Sequence, residues 1–249
     1  MSGFLTVLKS LVFPPRCAGC NQLLPTCDGT QENVFCKECA EEWEREMRLQ
    51  CPHCFAPYCE CRCQPRVMQR AGSMAFIKLS PYGETQAYRV VHRMILDAKK
   101  HPRRRVLSYV ARELAVSLSA FLQENNVAKE SVVITHLPRH PRKRRKEGVD
   151  QALELARALA KATGLPHKVL LARYGKSREQ KRLKAKERIE NLKDEFYSCR
   201  DVQGAFVVLV DDLVTTGAGM SVAVKLLRDA GACGVLVTAL AHTEKKVRE

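Results

Sequence analysis

The sequence predicts an α/β protein in which a mainly parallel sheet is flanked by helices and preceded by a small cysteine-rich domain. Three observations lead there. Ten of the twelve cysteines crowd between Cys17 and Cys63. From about Pro81 cysteines almost vanish, and β-branched runs alternate with helix-period segments, an alternation that implies right-handed crossovers between parallel strands. One such run, VVLVDDLVTTGAGM at residues 207 to 220, ends on two adjacent carboxylates and passes straight into a Thr-Thr-Gly turn. Two domains are expected, at 1–68 and 81–249, in a chain of 249 residues whose 45% hydrophobic content suffices for a real core.

At the start, Phe4, Leu5, Val7, Leu8, Leu11 and Val12 recur at helical spacing until Pro14 and Pro15 stop the run, predicting a short amphipathic helix. The segment lacks a charged n-region and a small-residue cleavage site, and no apolar run approaches the roughly 18 to 20 residues of a membrane span. A cytoplasmic chain with no membrane span is the expectation.

Without an export signal, such cysteine density points to metal rather than disulfides. Cys17-Ala-Gly-Cys20 and Cys36-Lys-Glu-Cys39 are two CxxC knuckles with fifteen residues between them, the ribbon spacing that closes four thiolates around zinc. Cys51-Pro-His-Cys54 opens a second four-thiolate site, completed by two of Cys59, Cys61 and Cys63. Cys59 with Cys63 has the commoner spacing, Cys61 is the alternative, and interleaved pairing of the knuckles is equally compatible with the spacing. Cys27 is a spare, and His53 is expected beside the metal or in solvent rather than on it. A closed four-thiolate site leaves no position for water, so both zinc ions are expected to be structural, in a segment too poor in large apolar residues to fold without them.

Further along, Tyr88 to Lys100 reads as a helix, and Arg104 to Glu124 as another with Leu107, Val110, Ala111, Leu114 and Leu118 on one face. A basic elbow of Lys99, Lys100, His101, Arg103, Arg104 and Arg105 joins them. Ser131 to Leu137 is a buried strand, followed by a loop, Pro138 to Glu147, that carries Arg139, Arg142, Lys143, Arg144, Arg145 and Lys146. Val149 to Thr163 is a helix stopped by Gly164 and Pro166, and Lys168 to Ala172 a short strand. Tyr174 to Leu192 has no sustained apolar face and is expected to be a mobile arm or hood with partial helix. Phe206 to Val210 is a strand, Gly219 to Ala230 a helix closed by Gly231, and Gly234 to Ala239 the last strand.

In a parallel sheet, ligands sit beyond the carboxyl ends of strands, where helix N-termini converge. Asp211 and Asp212 occupy such an end, and Thr215, Thr216, Gly217, Ala218 and Gly219 turn into the following helix. Free N–H groups and the positive end of the helix dipole favour an anion there, and glycine lets the backbone approach it. Two carboxylates beside an anion must face hydroxyls or a divalent cation. A sugar phosphate with magnesium meets all of these demands.

VVLVDDLVTTGAG resembles the phosphoribosyl-pyrophosphate (PRPP) signature of type I phosphoribosyltransferases. The resemblance implies that Asp211 and Asp212 are the catalytic pair on the ribose hydroxyls, and that Thr215 to Gly219 cradle the 5′-phosphate. Many members have threonine where this chain has Gly219. The double cysteine ribbon ahead of this signature is similar to the ComF family over nearly the whole chain. That likeness implies a phosphoribosyltransferase-like fold and a role in uptake of transforming DNA. Lys99 matches its helix lysine, and Leu137-Pro138 with Arg139 and the basic loop match its pyrophosphate-side segment. Arg173, Gln180, Arg188, Asn191 and Phe196 match its hood pattern. One stretch departs: where the family commonly reads Arg-Gly-Phe-Asn-Gln, this chain has Glu147-Gly148-Val149-Asp150-Gln151.

With 42 Lys and Arg against 27 Asp and Glu, the net charge of +15 favours polyanionic partners. Two functions follow as expectations: a PRPP-binding transferase, or a non-catalytic adaptor for single-stranded DNA or the DNA-uptake machinery. Few aromatics interleave with the basic clusters, so any DNA contact should be to the backbone and salt-sensitive.

Overall fold

The computed structural model describes residues 14–24, 34–83, 86–100, 103–174, 196–198 and 202–243. The expected N-terminal helix, Cys27, His101 and residues 175–192 of the expected hood lie outside the described residues.

Among them the strands are β1 (Phe76–Tyr82), β2 (Val132–His136), β3 (Leu171–Arg173), β4 (Phe196–Ser198), β5 (Phe206–Val214) and β6 (Gly234–Thr243). A four-stranded sheet in the order β1-β6-β5-β2 is parallel throughout, with Phe206 opposite Val132 on one side and Gly234 on the other. Alternate side chains leave opposite faces of a strand. Phe206, Val208 and Val210 therefore enter one core with Leu236 and Ile134, while Val207 and Leu209 enter a second with Val235 and Val237. Both faces are buried, as a parallel sheet requires.

Helices α1 (Lys37–Met47), α2 (Arg66–Arg70), α3 (Arg89–Lys100), α4 (Arg104–Glu124), α5 (Pro141–Glu147), α6 (Gln151–Thr163) and α7 (Ala218–Asp229) complete the body. The first core is covered by α3, α4 and α6, and the second by α2 and α7. As expected, α4 buries Val110, Ala111, Leu114 and Leu118.

Five elements differ from expectation, the simplest being β6, which runs on to Thr243 rather than ending at Ala239. The sheet takes in β1, ahead of position 81: Lys78, Ser80 and Pro81 break its apolar pattern, yet Lys78 and Ser80 are buried. Of the expected strand Lys168 to Ala172, Lys168 touches β2 through its N–H to the Ile134 carbonyl at 2.9 Å, but the segment adds no strand to the main sheet; β3 pairs antiparallel with β4 instead. Residues 141–147 are helical rather than loop. Pro141 has the preset φ of a first helical turn, His140 Nδ1 accepts the Arg142 N–H at 3.2 Å, and left-handed Gly148 returns its N–H to Arg144 at 2.8 Å. Finally, β5 continues through both carboxylates to Val214, with Asp211 still in register with Ala239 and Leu213 with Ala241.

The cysteine-rich segment is not a loosely attached unit. Cys17, Ala18, Phe35, Cys39 and Trp43 share the first core with α3 and α4, and the Trp43 indole N–H donates to the Tyr109 hydroxyl at 3.1 Å.

Candidate functional site

Asp211 and Asp212 lie in the last turns of pleat of β5, where backbone amides must find acceptors. The chain supplies its own: the Asp212 N–H donates to Asp211 Oδ1 and the Leu213 N–H to Asp212 Oδ1, both at 2.9 Å. Burial, and next the adjacent Asp212 charge, push the Asp211 carboxyl well above the usual carboxylate range, although the residue keeps some surface. A buried carboxyl such as that of Asp211 needs hydroxyl donors or a cation to stay ionised.

Beyond Val214 the chain turns through exposed Thr215 and Thr216 to buried Gly217, whose φ of 76° is left-handed and caps α7. Any side chain would be strained there by conformation, and by space as well. An added Cβ would stand 2.9 Å from Met68 Sδ and 3.3 Å from Pro65 Cβ. The Thr216 hydroxyl accepts the Ala218 N–H at 3.4 Å. The opening N–H groups of α7, including that of Gly219, have no intrahelical acceptor, an arrangement that suits an anion. A Cβ at Gly219 would be in ordinary contact with Leu137 at 3.6 Å, so no close approach to the protein demands glycine there.

The loop after β2 comes to the same place. The Leu137 N–H donates to the Val210 carbonyl at 2.9 Å, immediately before Asp211, and the Arg139 N–H donates to Asp150 Oδ2 at 3.3 Å. Asp150 also caps α6 through the Leu153 N–H, and its charge contributes to the rise at Asp211. The altered stretch 147–151 thus places a third carboxylate beside the pair. Lys99 lies in the last turn of α3, its side chain outside the described residues; its neighbour Ala98 accepts from the Gln151 amide at 3.3 Å. Asp212 itself lines a small cavity of about 30 Å³ with Gln151, Met94 and Leu240. A larger hollow, about 490 Å³, lies not over the Thr-Thr-Gly turn but between α4 and α5, lined by Arg104, Arg144, Arg145 and Asp150 among others.

Two side chains unremarked in the sequence underlie the turn. His242, on β6 opposite Val214, bonds the Thr215 backbone, and burial together with the charge of Lys78 lowers it to about 4. Met68, on α2, supports Gly217 from below. No motif marks either one.

The cysteines form two groups, Cys17, Cys20, Cys36 and Cys39, and Cys51, Cys54, Cys61 and Cys63, with the sulfurs of each within 4.8 Å of one another. The knuckles therefore pair in sequence order, without interleaving. Separations of 3.8 Å between Cys17 and Cys36, 3.7 Å between Cys20 and Cys36 and 3.5 Å between Cys54 and Cys61 match the edge of roughly 3.8 Å that a tetrahedron with 2.3 Å zinc–sulfur bonds requires. Both groups could hold zinc. Cys59, named among the ligands above, is outside the second group; it packs against the first core, and its carbonyl accepts from Ser117 Oγ on α4 at 3.0 Å. Its place is taken by Cys61, whose Sγ lies 3.2 Å from the ammonium of Lys78.

No family model matches the sequence, and no curated protein does. Among solved structures, the chain is similar over 58% of its length to the allosteric regulatory enzyme of purine biosynthesis, at 22% identity with a TM-score of 0.38, covering 29% of that chain. It is similar over 58% to glutamine PRPP amidotransferase from B. subtilis, at 23% identity with a TM-score of 0.39, covering 30% of that chain. Over 55% it is similar to purine phosphoribosyltransferase from Pyrococcus horikoshii Ot3, at 17% identity with a TM-score of 0.32, covering 85% of that chain. The chain thus spans less than a third of the first two. Among the described residues no helix is long and apolar enough to cross a membrane.

Proposed function

We propose that the protein binds PRPP, or a related sugar phosphate, at the junction of β5 and α7. The observation that carries this reading is the adjacency of the Asp211–Asp212 pair to a left-handed Gly217 at the head of an open helix N-terminus. Thr215 to Gly219 hold the 5′-phosphate through backbone N–H groups and hydroxyls. Asp211 and Asp212 accept the ribose hydroxyls. Magnesium fits the oxygen donors on this side and would supply charge neutralisation to a pyrophosphate. Arg139, Lys99 and the basic residues of α5 stand on the pyrophosphate side. If an acceptor enters from the hood, displacement at the anomeric carbon transfers the phosphoribosyl group. Zinc in both cysteine groups, a cytoplasmic setting and a ComF-type role in DNA uptake complete the proposal.

Calorimetry of PRPP with magnesium tests it: wild type should bind, and the double variant Asp211→Asn, Asp212→Asn should lose at least tenfold in affinity. Equal binding by both proteins would refute the site.

A second reading rests on α5, where Arg142, Lys143, Arg144, Arg145 and Lys146 are consecutive and exposed. Such a cluster suits the phosphate backbone of single-stranded DNA, making the protein a non-catalytic adaptor. Affinity for an oligonucleotide should then fall steeply with salt, with a shallower slope once Arg142 to Arg145 are neutralised. A salt-independent affinity would exclude this reading.

A further inference from the structure

We propose that the second cysteine group is a positioning element for the phosphate turn. Metal held by Cys51, Cys54, Cys61 and Cys63 sets the turn for a phosphate, and a phosphoribosyl ligand on the turn holds that metal in return. The inference rests on the sugar-phosphate reading above and adds a regulation of that same site.

Two routes join them. The first is the chain itself: Cys63 is followed at once by Gln64, Pro65 and α2, and the side chains of Pro65 and Met68 are the surface on which Gly217 rests. Met68 is fully buried, and the gap would not admit even a methyl group on Gly217, whose would-be Cβ lies 3.1 Å from Met68 Cγ. A shift of Met68 by a few tenths of an ångström must be answered by the turn, because packed interiors have no slack.

The second route begins at Lys78. Lys78 is 2% exposed, and its ammonium donates to Cys63 O at 2.9 Å and Cys61 Sγ at 3.2 Å, with Cys61 O at 3.5 Å. Four thiolates around a divalent ion carry two net negative charges, so an assembled cluster suits a buried cation that would otherwise be costly. The same ammonium lies 5.0 Å from the centroid of the Phe76 ring, Phe76 meets His242 edge to face at 5.6 Å, and His242 bonds the Thr215 backbone. When the cluster opens, Lys78 loses the sulfur and the fixed carbonyls together, and the support under Thr215 goes with them.

The first cysteine group offers an internal comparison. It packs in the core on the other face of the sheet, where Gly19 abuts Cys39 and Val90 of α3. Coupling between a ligand and a metal is reciprocal: whatever factor the metal adds to ligand affinity, the ligand adds to metal affinity. Only one of the two metals should respond to ligand.

The experiment is zinc release from the full chain to a chromophoric chelator, with and without saturating PRPP and magnesium. In wild type, PRPP should slow the loss of one zinc of the two by about tenfold. The Cys54→Ser variant, limited to the first group, should release its remaining zinc at a rate that PRPP does not change. Met68→Ala leaves every metal ligand in place, so it should bind two zinc ions but show less than twofold protection. Calorimetry on the same wild-type sample separates the outcomes. Absence of PRPP binding overturns the sugar-phosphate reading and this inference with it. PRPP binding without protection of either zinc, or with equal protection of both, overturns this inference alone.

Discussion

The carboxylate of Glu46 accepts the N–H of Val90 at 2.6 Å and that of the following Val91 at 2.9 Å, so an acid from the cysteine-rich segment caps the helix that carries Lys99. Nearby, Glu42 forms an ion pair with Arg89 at the first residue of the same helix. The N-terminus of α3, with its partial positive charge, is thus held by two acids of α1. A cap usually belongs to the chain just before its helix. Here it comes from more than forty positions away, which ties the first cysteine group to the sheet body.

A pH dependence follows. Burial raises Glu46 to about 7 from an ordinary 4.5, against the lowering effect of its two N–H bonds. The folded state holds a proton that the unfolded chain releases, so this contribution to stability is complete below pH 4.5 and is lost as pH rises through about 7. The loss is about 3 kcal/mol at most, from a shift of this size. Denaturant unfolding at pH 5 and pH 8 should show a smaller difference in Glu46→Gln than in wild type. An unchanged difference would mean that Glu46 is ionised at no cost.

Gly19→Ala should cost the protein its first metal. An added methyl would lie 2.7 Å from Cys39 Sγ and 2.9 Å from its Cβ, and the buried Cys39 has nowhere to retreat within the core it shares with Trp43. Metal analysis of the purified variant should find about one equivalent fewer zinc than wild type, by the ligand-count logic of a closed four-thiolate site. Full zinc content would show that the knuckle opens to accommodate the methyl.

Much of this architecture was legible in the sequence, because both main signals are periodic or exact in spacing. The burial of β5 on both faces follows from its continuous β-branched run, and the knuckle pairs follow from CxxC spacing. The choice of Cys61 over Cys59 was not legible. It depends on Lys78 approaching from β1, a strand whose own lysine, serine and proline conceal it. Likewise the end of β5 was placed too early, since Asp211 and Asp212 read as a stop. Their carboxylates instead bond the strand's own amides and let it continue to Val214. Met68 and His242 act through contacts between segments distant in sequence, which no local pattern encodes.

Lys78→Met tests the electrostatic part of zinc binding proposed for the second cysteine group. Methionine keeps most of the buried volume while removing the ammonium that faces Cys61 and Cys63. Outer partners of metal ligands typically carry 10- to 100-fold of metal affinity, and a loss of about that size is expected in chelator competition, confined to one of two zinc ions. Unchanged affinity for both would mean that the lysine only fills space.

Asp212→Asn should make the ligand-free protein more stable while impairing it as a sugar-phosphate binder. Asp211 is raised first by burial and then by the Asp212 charge, so its contribution to stability is present below its ordinary pKa of 3.8 and lost as pH rises through the elevated value. Asparagine removes the charge yet keeps an Oδ1 for the Leu213 N–H, so the strand geometry survives. At pH 8 the variant should gain on the order of 1 kcal/mol, or about 2–4 °C in melting temperature for a chain of this size. The gain should shrink as pH falls toward the range where Asp211 is protonated in both proteins. PRPP with magnesium should raise the melting temperature of wild type and leave the variant nearly unmoved, since under the proposed function the carboxylates that would hold a ribose are those that repel each other without it. A variant less stable than wild type at every pH would show that the pair is held by the fold rather than strained within it.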